Sequence, residues 1–404
     1  MSINDDFFVD LYFRLKWESE EVSHEDVYLA SRVNLWRDIL PNEVETWIRG
    51  SNKGDCASFK MDAKDLGLPA RDKSRIKKMA GNRFVAASAN GRSIRPHTGR
   101  FYPQGFLKGV TGVFPQTIKP FRCLRGGESD FIADLNHPFA GREVQMDIEI
   151  LDCQEKDMEL GGTCKAWMEI IFEGPGMQAR IDDKSTDFFE QGAFARKDES
   201  SDRNYYLRPR MTAHIDSRTR ENVTRLYSRL LSKGDYVLDL MSSAFSHFPE
   251  SLELGNVKGL GMNSEEMDEN KRLDAYVVQD LNLNPKLPYA DEEFDVVVCS
   301  MSFEYLISPL RMIEEIYRVL RPKGKVIISF SHRWFPGKAV NLWTEMHEFE
   351  RLGFVAELVL LNKGFRNVST FSERGWPRLY DERDRYYPML QLSDPLYSVW
   401  GTKE

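Results

Sequence analysis

The stretch that decides the fold begins at residue 234 with GDYVLDLMSSAFSHFPE and continues to residue 320. It contains four short apolar runs, whose length and β-branched residues are typical of strands buried in a parallel sheet. Polar or helix-like segments separate the runs, so the fold class predicted for this half is α/β with a doubly wound sheet. The four runs are residues 236–240, 257–260, 275–278 and 294–299.

A helix signal follows the fourth run. Ser308 suits the N-cap position and Pro309 suits the first helical position. We expect Gly324 to end this helix before a fifth strand at residues 325–330. The apolar residues that recur at helical spacing are Leu310, Ile313, Tyr317 and Leu320.

Three segments of this half resemble the class I S-adenosylmethionine-dependent methyltransferases, in particular the type 11 small-molecule enzymes. They are VLDL (237–240), QDLNLNPKLPYADEEFDVVVCS (279–300) and VLRPKGKVIISF (319–330). The resemblance implies a Rossmann-like sheet, S-adenosylmethionine as cofactor and transfer of a methyl group to a small molecule. RNVSTFSERG (366–375) and DPLYSVWGTK (394–403) look like the antiparallel strand pair that completes such a sheet.

The same resemblance implies where the cofactor would bind, beyond the carboxyl ends of the strands. Asp239 ends the first strand, and Asp280 would accept from the adenine amino group. Gly261 stands where the family carries an acidic residue for the ribose hydroxyls, and Asn263 follows two residues later. The implied cofactor-binding residues are Asp239, Met241, Ser242, Ser243, Gly261, Met262, Asn263, Asp280, Leu281 and Ser300.

The loop after the first strand, MSSAFSH at residues 241–247, departs from the family because it contains no glycine. Two interpretations follow. Ser242 and Ser243 could replace the glycines and bind the cofactor's carboxylate through their amides and hydroxyls, with Asn263 on the ribose. Alternatively, the cofactor is no longer bound and the domain is architectural. The sequence DLMSS (239–243) resembles a variant group of methyltransferase-like proteins with a similar front half.

Polar residues after the strands are candidates for catalysis, because a hydroxyl or ammonium acceptor needs a base. Structural or surface roles for these residues are the alternative. Residues 205–214, called the lid segment below, would cover the cofactor by the same resemblance. The catalytic candidates are His247, Glu304, Tyr305 and His332, near Cys299, Met301, Ser302, Ser331 and Arg333. The lid or substrate candidates are Tyr205, Tyr206, Arg208, Arg210 and His214.

Residues 25–155 resemble the FKBP-type prolyl isomerases of the SlyD kind. Residues 39–63 look like the pocket helix, glycine turn and strand of that family, and DFIADLNHPFAGREVQMDIEILD (130–152) looks like its last strand. Residues 100–124 would be the inserted flap. The alternation of Val144, Met146, Ile148 and Ile150 independently predicts a half-buried antiparallel strand. Trp47, Phe121 and Phe139 are either pocket residues or ordinary core.

The composition limits the classes of function. A formal net charge of −8 over 404 residues argues against a nucleic-acid partner, and the basic cluster at 71–78 is expected to be solvated surface. The five cysteines are scattered and form no zinc signature, which favours a reducing, cytoplasmic location without a metal. No secretory signal or membrane-spanning run is visible.

These observations predict four segments: an N-terminal extension at 1–24, the FKBP-like domain at 25–155, a connector and cofactor lid at 156–233, and the methyltransferase domain at 234–404. The predicted function is methylation of a small molecule, with the FKBP-like domain for substrate cover or protein contact. The alternatives are a scaffold or chaperone-like protein with a degenerate body, and a protein methyltransferase recruited by the FKBP-like domain.

Overall fold

The computed structural model describes residues 2–86, 93–157, 162–182 and 184–404. The strands are β1 Phe7–Ser19, β2 Val22–Asn34, β3 Cys56–Asp62, β4 Ile76–Ala80, β5 Phe101–Pro103, β6 Pro120–Arg125, β7 Asp130–Asp134, β8 Glu143–Glu155, β9 Tyr236–Leu240, β10 Asn256–Gly261, β11 Ala275–Val278, β12 Phe294–Ser300, β13 Leu320–Phe330, β14 Phe365–Arg374 and β15 Leu396–Lys403. The helices are α1 Asn42–Ile48, α2 Trp167–Ile171, α3 Asp202–Tyr205, α4 Ser217–Leu230, α5 Ser264–Asp268, α6 Pro309–Val319, α7 Asn341–Glu345 and α8 Glu348–Leu361.

The chain divides into two compact units. The first is Met1–Asp187 with His347–Glu350 and Glu373–Pro377, and the second is Phe188–Met346 with Arg351–Ser372 and Arg378–Glu404. The division at residues 187 and 188 falls inside the predicted connector. Parts of the predicted FKBP-like domain (87–92) and of the connector (158–161 and 183) lie outside the described residues.

The second unit contains a doubly wound sheet in the order β11-β10-β9-β12-β13-β15-β14. The pairs β11–β10, β10–β9, β9–β12 and β12–β13 are parallel, and β15 runs antiparallel to β13. Central residues such as Leu238, Val298 and Ile327 are fully buried, as expected for strands covered on both faces. The predicted α/β class is confirmed, and the four apolar runs are strands.

The helix before β13 is shorter than the sequence predicted. α6 begins at Pro309 after Ser308, as expected, but Ser308 makes no side-chain cap bond and the helix ends at Val319. Gly324 therefore does not stop the helix and lies within β13 instead. A Cβ there would come 2.9 Å from Asp295 O, so the glycine permits a close approach of two backbones.

The first unit contains an antiparallel sheet in the order β2-β1-β8-β3. Val144, Met146, Ile148 and Ile150 of β8 are all buried, so the predicted alternation is confirmed. The prediction that residues 1–24 form a separate extension is wrong, because β1 pairs with both β2 and β8. Its alternate apolar residues belong to the core of this sheet.

A second sheet of the first unit, β4-β7-β6-β5, is formed by residues between β3 and β8. It has its own apolar core, which contains Phe121. Phe139 belongs instead to the core of the larger sheet, against which Trp47 packs. The three aromatic residues named as pocket candidates therefore do not share one cluster, and Phe121 and Phe139 are fully buried.

Candidate functional site

The loop after β9 is tied to the carboxylate of the strand before it. Ser242 Oγ and Ser246 Oγ donate to Asp239 Oδ2 at 2.6 and 2.7 Å. Burial raises the pKa of Asp239 to about 6, although the two hydroxyls favour its charged form. Asp239 thus holds the loop in shape, as a buried anchor.

One of the two serines proposed to replace the glycines has its hydrogen-bond donors engaged within the protein. The Ser242 amide donates to Leu260 O at 2.8 Å, so both the amide and the hydroxyl of Ser242 are engaged within the protein. Ser243 O accepts from Asn270 Nδ2 at 2.7 Å. Met241 adopts a positive φ of 60°. Ser242 therefore does not offer the donors that the first interpretation required of it.

The end of β10 leaves no place for an acidic side chain. A Cβ on Gly261 would lie 2.2 Å from Ser242 O, so this position must remain glycine. Asn263 caps α5 by accepting from the Glu266 amide, and its Nδ2 donates to Tyr206 O and Leu207 O at 2.9 and 3.1 Å. Asn263 thus holds the lid segment. Met262, between these two residues, is partly exposed.

Asp280 follows β11 and stays accessible. Its Oδ1 accepts from the amides of Asn282 and Leu283 at 2.9 and 3.3 Å, which forms an Asx turn. Its side chain is partly exposed, whereas the neighbouring Leu281 is buried. A carboxylate held by its own turn and open to solvent fits the predicted acceptor for an adenine amino group.

The lid segment gathers around Phe335, a residue that the sequence did not indicate. Tyr205, Tyr206 and His214 make edge contacts with its ring at 5.8, 6.3 and 5.3 Å between centroids. Arg210 lies over the Phe335 ring at 5.1 Å. Arg208 is exposed. Of the five predicted lid residues, the structure brings four together.

Glu304 is a buried carboxyl group of the site with a raised pKa. It follows β12 and is buried, and burial raises its pKa to about 7. Its Oε2 has no hydrogen-bond partner among the described residues. The buried hydroxyl of Tyr206 also lacks one, and burial raises its pKa. The charge of Glu304 also acts to raise the pKa of the Tyr206 hydroxyl.

Other residues at the end of β12 are buried or hydrogen-bonded within the protein. Tyr305 is buried, stacks on Phe335 at 5.8 Å, and its hydroxyl accepts from the Phe335 amide at 2.9 Å. Burial raises the pKa of the Cys299 thiol well above its usual value. Ser300 Oγ shares a 2.6 Å hydrogen bond with Tyr227 Oη. Ser302 donates to Ser300 O.

The residues after β13 bind the segment before β15. His332 Nε2 and Arg333 Nε lie 3.1 and 2.7 Å from the two oxygens of Asp394, and Ser331 Oγ donates to Pro395 O. Burial opposes the charge of Asp394, but His332 and the cations Arg333 and Arg378 hold its pKa well below the usual value. His332 thus has a structural partner, and its role in catalysis stays a prediction.

His247 ends the loop after β9, where it adopts a positive φ of 59°. Its carbonyl accepts from Thr224 Oγ1 of α4 at 3.1 Å. Burial lowers its pKa to about 4, and Arg220 and His214 act in the same direction. The neutral imidazole could accept a proton, but only as a weak base at neutral pH.

A buried cluster of charged side chains, which the sequence did not reveal, holds helix α3 in place. This helix leads into the lid segment. Asp202 accepts both from Arg196 Nη1 and from Asn282 Nδ2, the latter at 2.9 Å, and Lys338 Nζ lies 3.1 Å from it. Asn282 also donates to Tyr305 O at 2.9 Å. Burial alone would raise the pKa of Asp202, but these partners lower it by more, so the net effect is a lowered pKa. The lid is therefore anchored to the loops after β11 and β12.

One family of known proteins matches a segment within the second unit. Residues 247–328 match the family described as "Methyltransferase domain". The matched segment has the sequence of a methyltransferase domain. Demethylmenaquinone methyltransferase of Paenarthrobacter aurescens (strain TC1) is 34% identical over 92 residues, which are 22% of this chain and 36% of that protein. The chain therefore spans about a third of the length of this curated relative.

Solved S-adenosylmethionine-dependent methyltransferases are similar over about half of the chain. One from Aquifex aeolicus is 16% identical over 50% of this chain and 97% of that chain, with a TM-score of 0.30. One from Thermotoga maritima is 14% identical over 46% and 89%, with a TM-score of 0.33. The FKBP-like assignment of the first unit stays a prediction.

Two kinds of feature are absent from the described ranges. No group of three or more His, Cys, Asp or Glu side chains there is arranged to hold a metal ion. No helix in that part of the chain combines the length and apolarity needed to cross a membrane.

Proposed function

We propose that the second unit is an S-adenosylmethionine-dependent methyltransferase that acts on a small molecule. The observation that carries this proposal is a pair of buried polar atoms, Glu304 Oε2 after β12 and Tyr206 Oη of the lid segment, that have no hydrogen-bond partner within the described ranges. Buried polar groups normally have hydrogen-bond partners, and ligands of open α/β sheets bind at the carboxyl ends of the strands. A polar ligand would satisfy both atoms. The methyltransferase match over residues 247–328 supports the reaction class.

Two residues, Asp280 and Leu281, suit the adenine end of the cofactor. Asp280 would accept from the adenine amino group, and Leu281 would border the ring. When bound, S-adenosylmethionine supplies a methyl group that is already activated by a positively charged sulfur. Glu304 Oε2 would accept a proton from the methyl acceptor, since its pKa of about 7 leaves it partly charged near neutrality. The aromatic lid would exclude water from the reacting groups.

The ribose and carboxylate ends fit less well, which favours the second candidate, a scaffold with a degenerate body. Gly261 cannot be replaced by an acid, Asn263 is occupied by the lid segment, and Ser242 is occupied by Asp239 and Leu260. A working enzyme would have to bind these ends through the remaining groups of the 241–247 loop or through groups of the lid.

For the first unit we propose an FKBP-like domain that covers substrate or contacts protein. A helix, α1, packs its Val44 and Ile48 into the core of the larger sheet, and a small second sheet is inserted before β8. This arrangement supports the assignment. If the domain recruits an unfolded chain, the methyl acceptor would be a protein. The five cysteines are free, which supports a reducing, cytoplasmic setting.

The test is incubation of the full chain with isotopically labelled S-adenosylmethionine and a metabolite extract. The proposal expects a small molecule that gains one labelled methyl group, and Asp280→Asn should strongly reduce the gain at a cofactor concentration that does not saturate the unmodified chain. Label in polypeptide would favour the protein methyltransferase. No label in either fraction, with the folded protein confirmed by thermal melting, would favour the scaffold.

A further inference from the structure

Arg210 lies among three aromatic rings of the second unit. Its guanidinium carbon is 4.8 Å from the ring centre of Tyr205, 5.5 Å from that of Tyr206 and 5.1 Å from that of Phe335. A ring face attracts a cation over about 6 Å, so all three rings contribute. The rings of Tyr205, Tyr206 and Phe335 are called the cage below.

The cage satisfies the charge of Arg210 but not its hydrogen bonds. Nη2 donates to Tyr205 O at 3.1 Å, whereas Nη1 is buried and has no hydrogen-bond partner in the described part of the chain. A guanidinium has five N–H donors, and leaving a buried one unmet is unfavourable. A methylated ammonium carries the same charge with few or no donors. Such a group would suit ring faces better than the arginine does.

The cage is fixed at the carboxyl ends of the strands. Asn263, after β10, holds the carbonyl of Tyr206, and Tyr305, after β12, accepts from the Phe335 amide. Two carboxyl groups act on these residues. Glu266 Oε1 accepts from the Arg210 amide at 2.7 Å, and the charge of Glu304 acts to raise the pKa of the Tyr206 hydroxyl. Two other cationic or titratable groups reach the rings. Lys338 Nζ lies 5.1 Å from the Tyr205 ring, and His214 lies edge-on to Phe335.

We propose that the cage is the acceptor subsite of this unit and binds an alkylammonium group, which displaces Arg210. Arg210 is then an internal cation that occupies the subsite until the ligand arrives. The role as acceptor subsite rests on the proposed methyltransferase function, whereas binding of a cation by the cage does not. An ammonium with an N–H bond would give its proton to Glu304 Oε2 and keep the electron pair on nitrogen. A quaternary ammonium would bind without giving a proton.

The test uses choline and 3,3-dimethylbutan-1-ol, which has the same shape without the charge. Both are titrated into the full chain by calorimetry in the absence of S-adenosylmethionine. Choline should bind at least about fivefold more tightly, as expected for a cation within a partly buried cage. Arg210→Gln should strengthen choline binding by about tenfold by removing the competing cation, and choline should remain the tighter of the two ligands. Phe335→Leu in that background should reverse the gain, while Tyr206→Phe, which keeps the ring, should preserve it.

Equal affinities for choline and the alcohol in the unmodified chain would overturn the proposal, whether or not any variant folds. An unchanged choline affinity in folded Arg210→Gln would overturn the displacement of Arg210. If S-adenosylmethionine displaces choline and S-adenosylhomocysteine does not, the cage binds the cofactor's sulfonium, and the acceptor assignment is wrong. If choline binds as expected but no cofactor binds, the proposed methyltransferase function fails while the cation site stands.

Discussion

Lys338 Nζ lies 3.1 Å from Asp202 Oδ1, and the side chains of both residues are buried. Lys338 also donates to Ser200 O at 2.7 Å, so its charge is held by a carboxylate and by main chain. Asp202 in turn accepts hydrogen bonds from Arg196 and Asn282. The pair joins α3, at the start of the lid segment, to the loop after β13. The stability of the lid should therefore depend on it.

Lys338→Met should lower the free energy of unfolding by about 3 kcal/mol, because it removes one partner of a buried ion pair. The measurement is urea denaturation followed by tryptophan fluorescence. Lys233→Met is the matched control, since the Lys233–Glu253 pair is largely exposed and should contribute less than about 1 kcal/mol. Equal losses in the two variants would contradict the role assigned to the buried pair.

The stability of the protein should depend on pH through Glu304. In the folded chain the pKa of Glu304 is about 7, whereas an unfolded glutamate has its ordinary pKa of 4.5. The folded state therefore binds more protons between these values, and Glu304 lowers the free energy of unfolding as the pH rises through that window. Glu304→Gln should be more stable than the unmodified chain above about pH 8, by up to about 3 kcal/mol.

The advantage of Glu304→Gln should disappear below about pH 4, where both states carry the proton. Glu314→Gln, on the exposed face of α6, serves as the control and should show no such pH dependence. If the free energies of unfolding of Glu304→Gln and the unmodified chain differ by the same amount at both ends of the pH range, the pKa of Glu304 is not raised by folding.

The methyl transfer itself should also depend on the protonation of Glu304. The rate should rise with pH through about 7, because only the charged carboxylate can accept a proton from the acceptor. Glu304→Gln should lose the rate at every pH while still binding cofactor. A rate that is unaffected by Glu304→Gln would remove this residue from the reaction.

Gly261→Asp, which restores the acidic residue typical of the methyltransferases, should damage the site. The new Cβ would lie 2.2 Å from Ser242 O, so the loop after β9 must shift. We expect a loss of about 2 kcal/mol in the free energy of unfolding and no gain in cofactor affinity. Gly337→Ala is the control, because its Cβ would approach Asp198 Cβ only to 3.3 Å and should cost far less. Tighter cofactor binding by Gly261→Asp would show that the loop can move.

The sequence predicted what depends on periodicity and on strand ends. The β9, β10, β11 and β12 strands occur where the apolar runs lie, and Asp239 and Asp280 are at the expected ends of strands. The part that it missed depends on contacts between distant residues. Asp202 and Lys338 form an ion pair although they are 136 residues apart in the sequence, and no local sequence pattern predicts such a pair.

Two other differences also depend on the tertiary structure. Phe335 follows β13 without any periodic signal, so its position at the centre of the lid cluster could come only from tertiary packing. Ser242 and Asn263 have the hydrogen-bonding groups that a cofactor would need, but the fold itself uses them. Residue type can indicate that a donor exists, whereas only the structure reveals whether the donor is already bonded.

The most direct test of the central claim is calorimetric titration of S-adenosylmethionine into the full chain, alongside Asp280→Asn and Asp274→Asn. Asp280→Asn can keep its turn but loses the charged acceptor, so its affinity should fall about tenfold to a hundredfold. Asp274, which accepts from the Val257 amide at the opposite ends of the strands, provides the control and should leave the affinity unchanged. Saturable binding with this difference is the predicted result. No binding heat from the folded, unmodified chain, or equal affinities in all three proteins, would contradict the account.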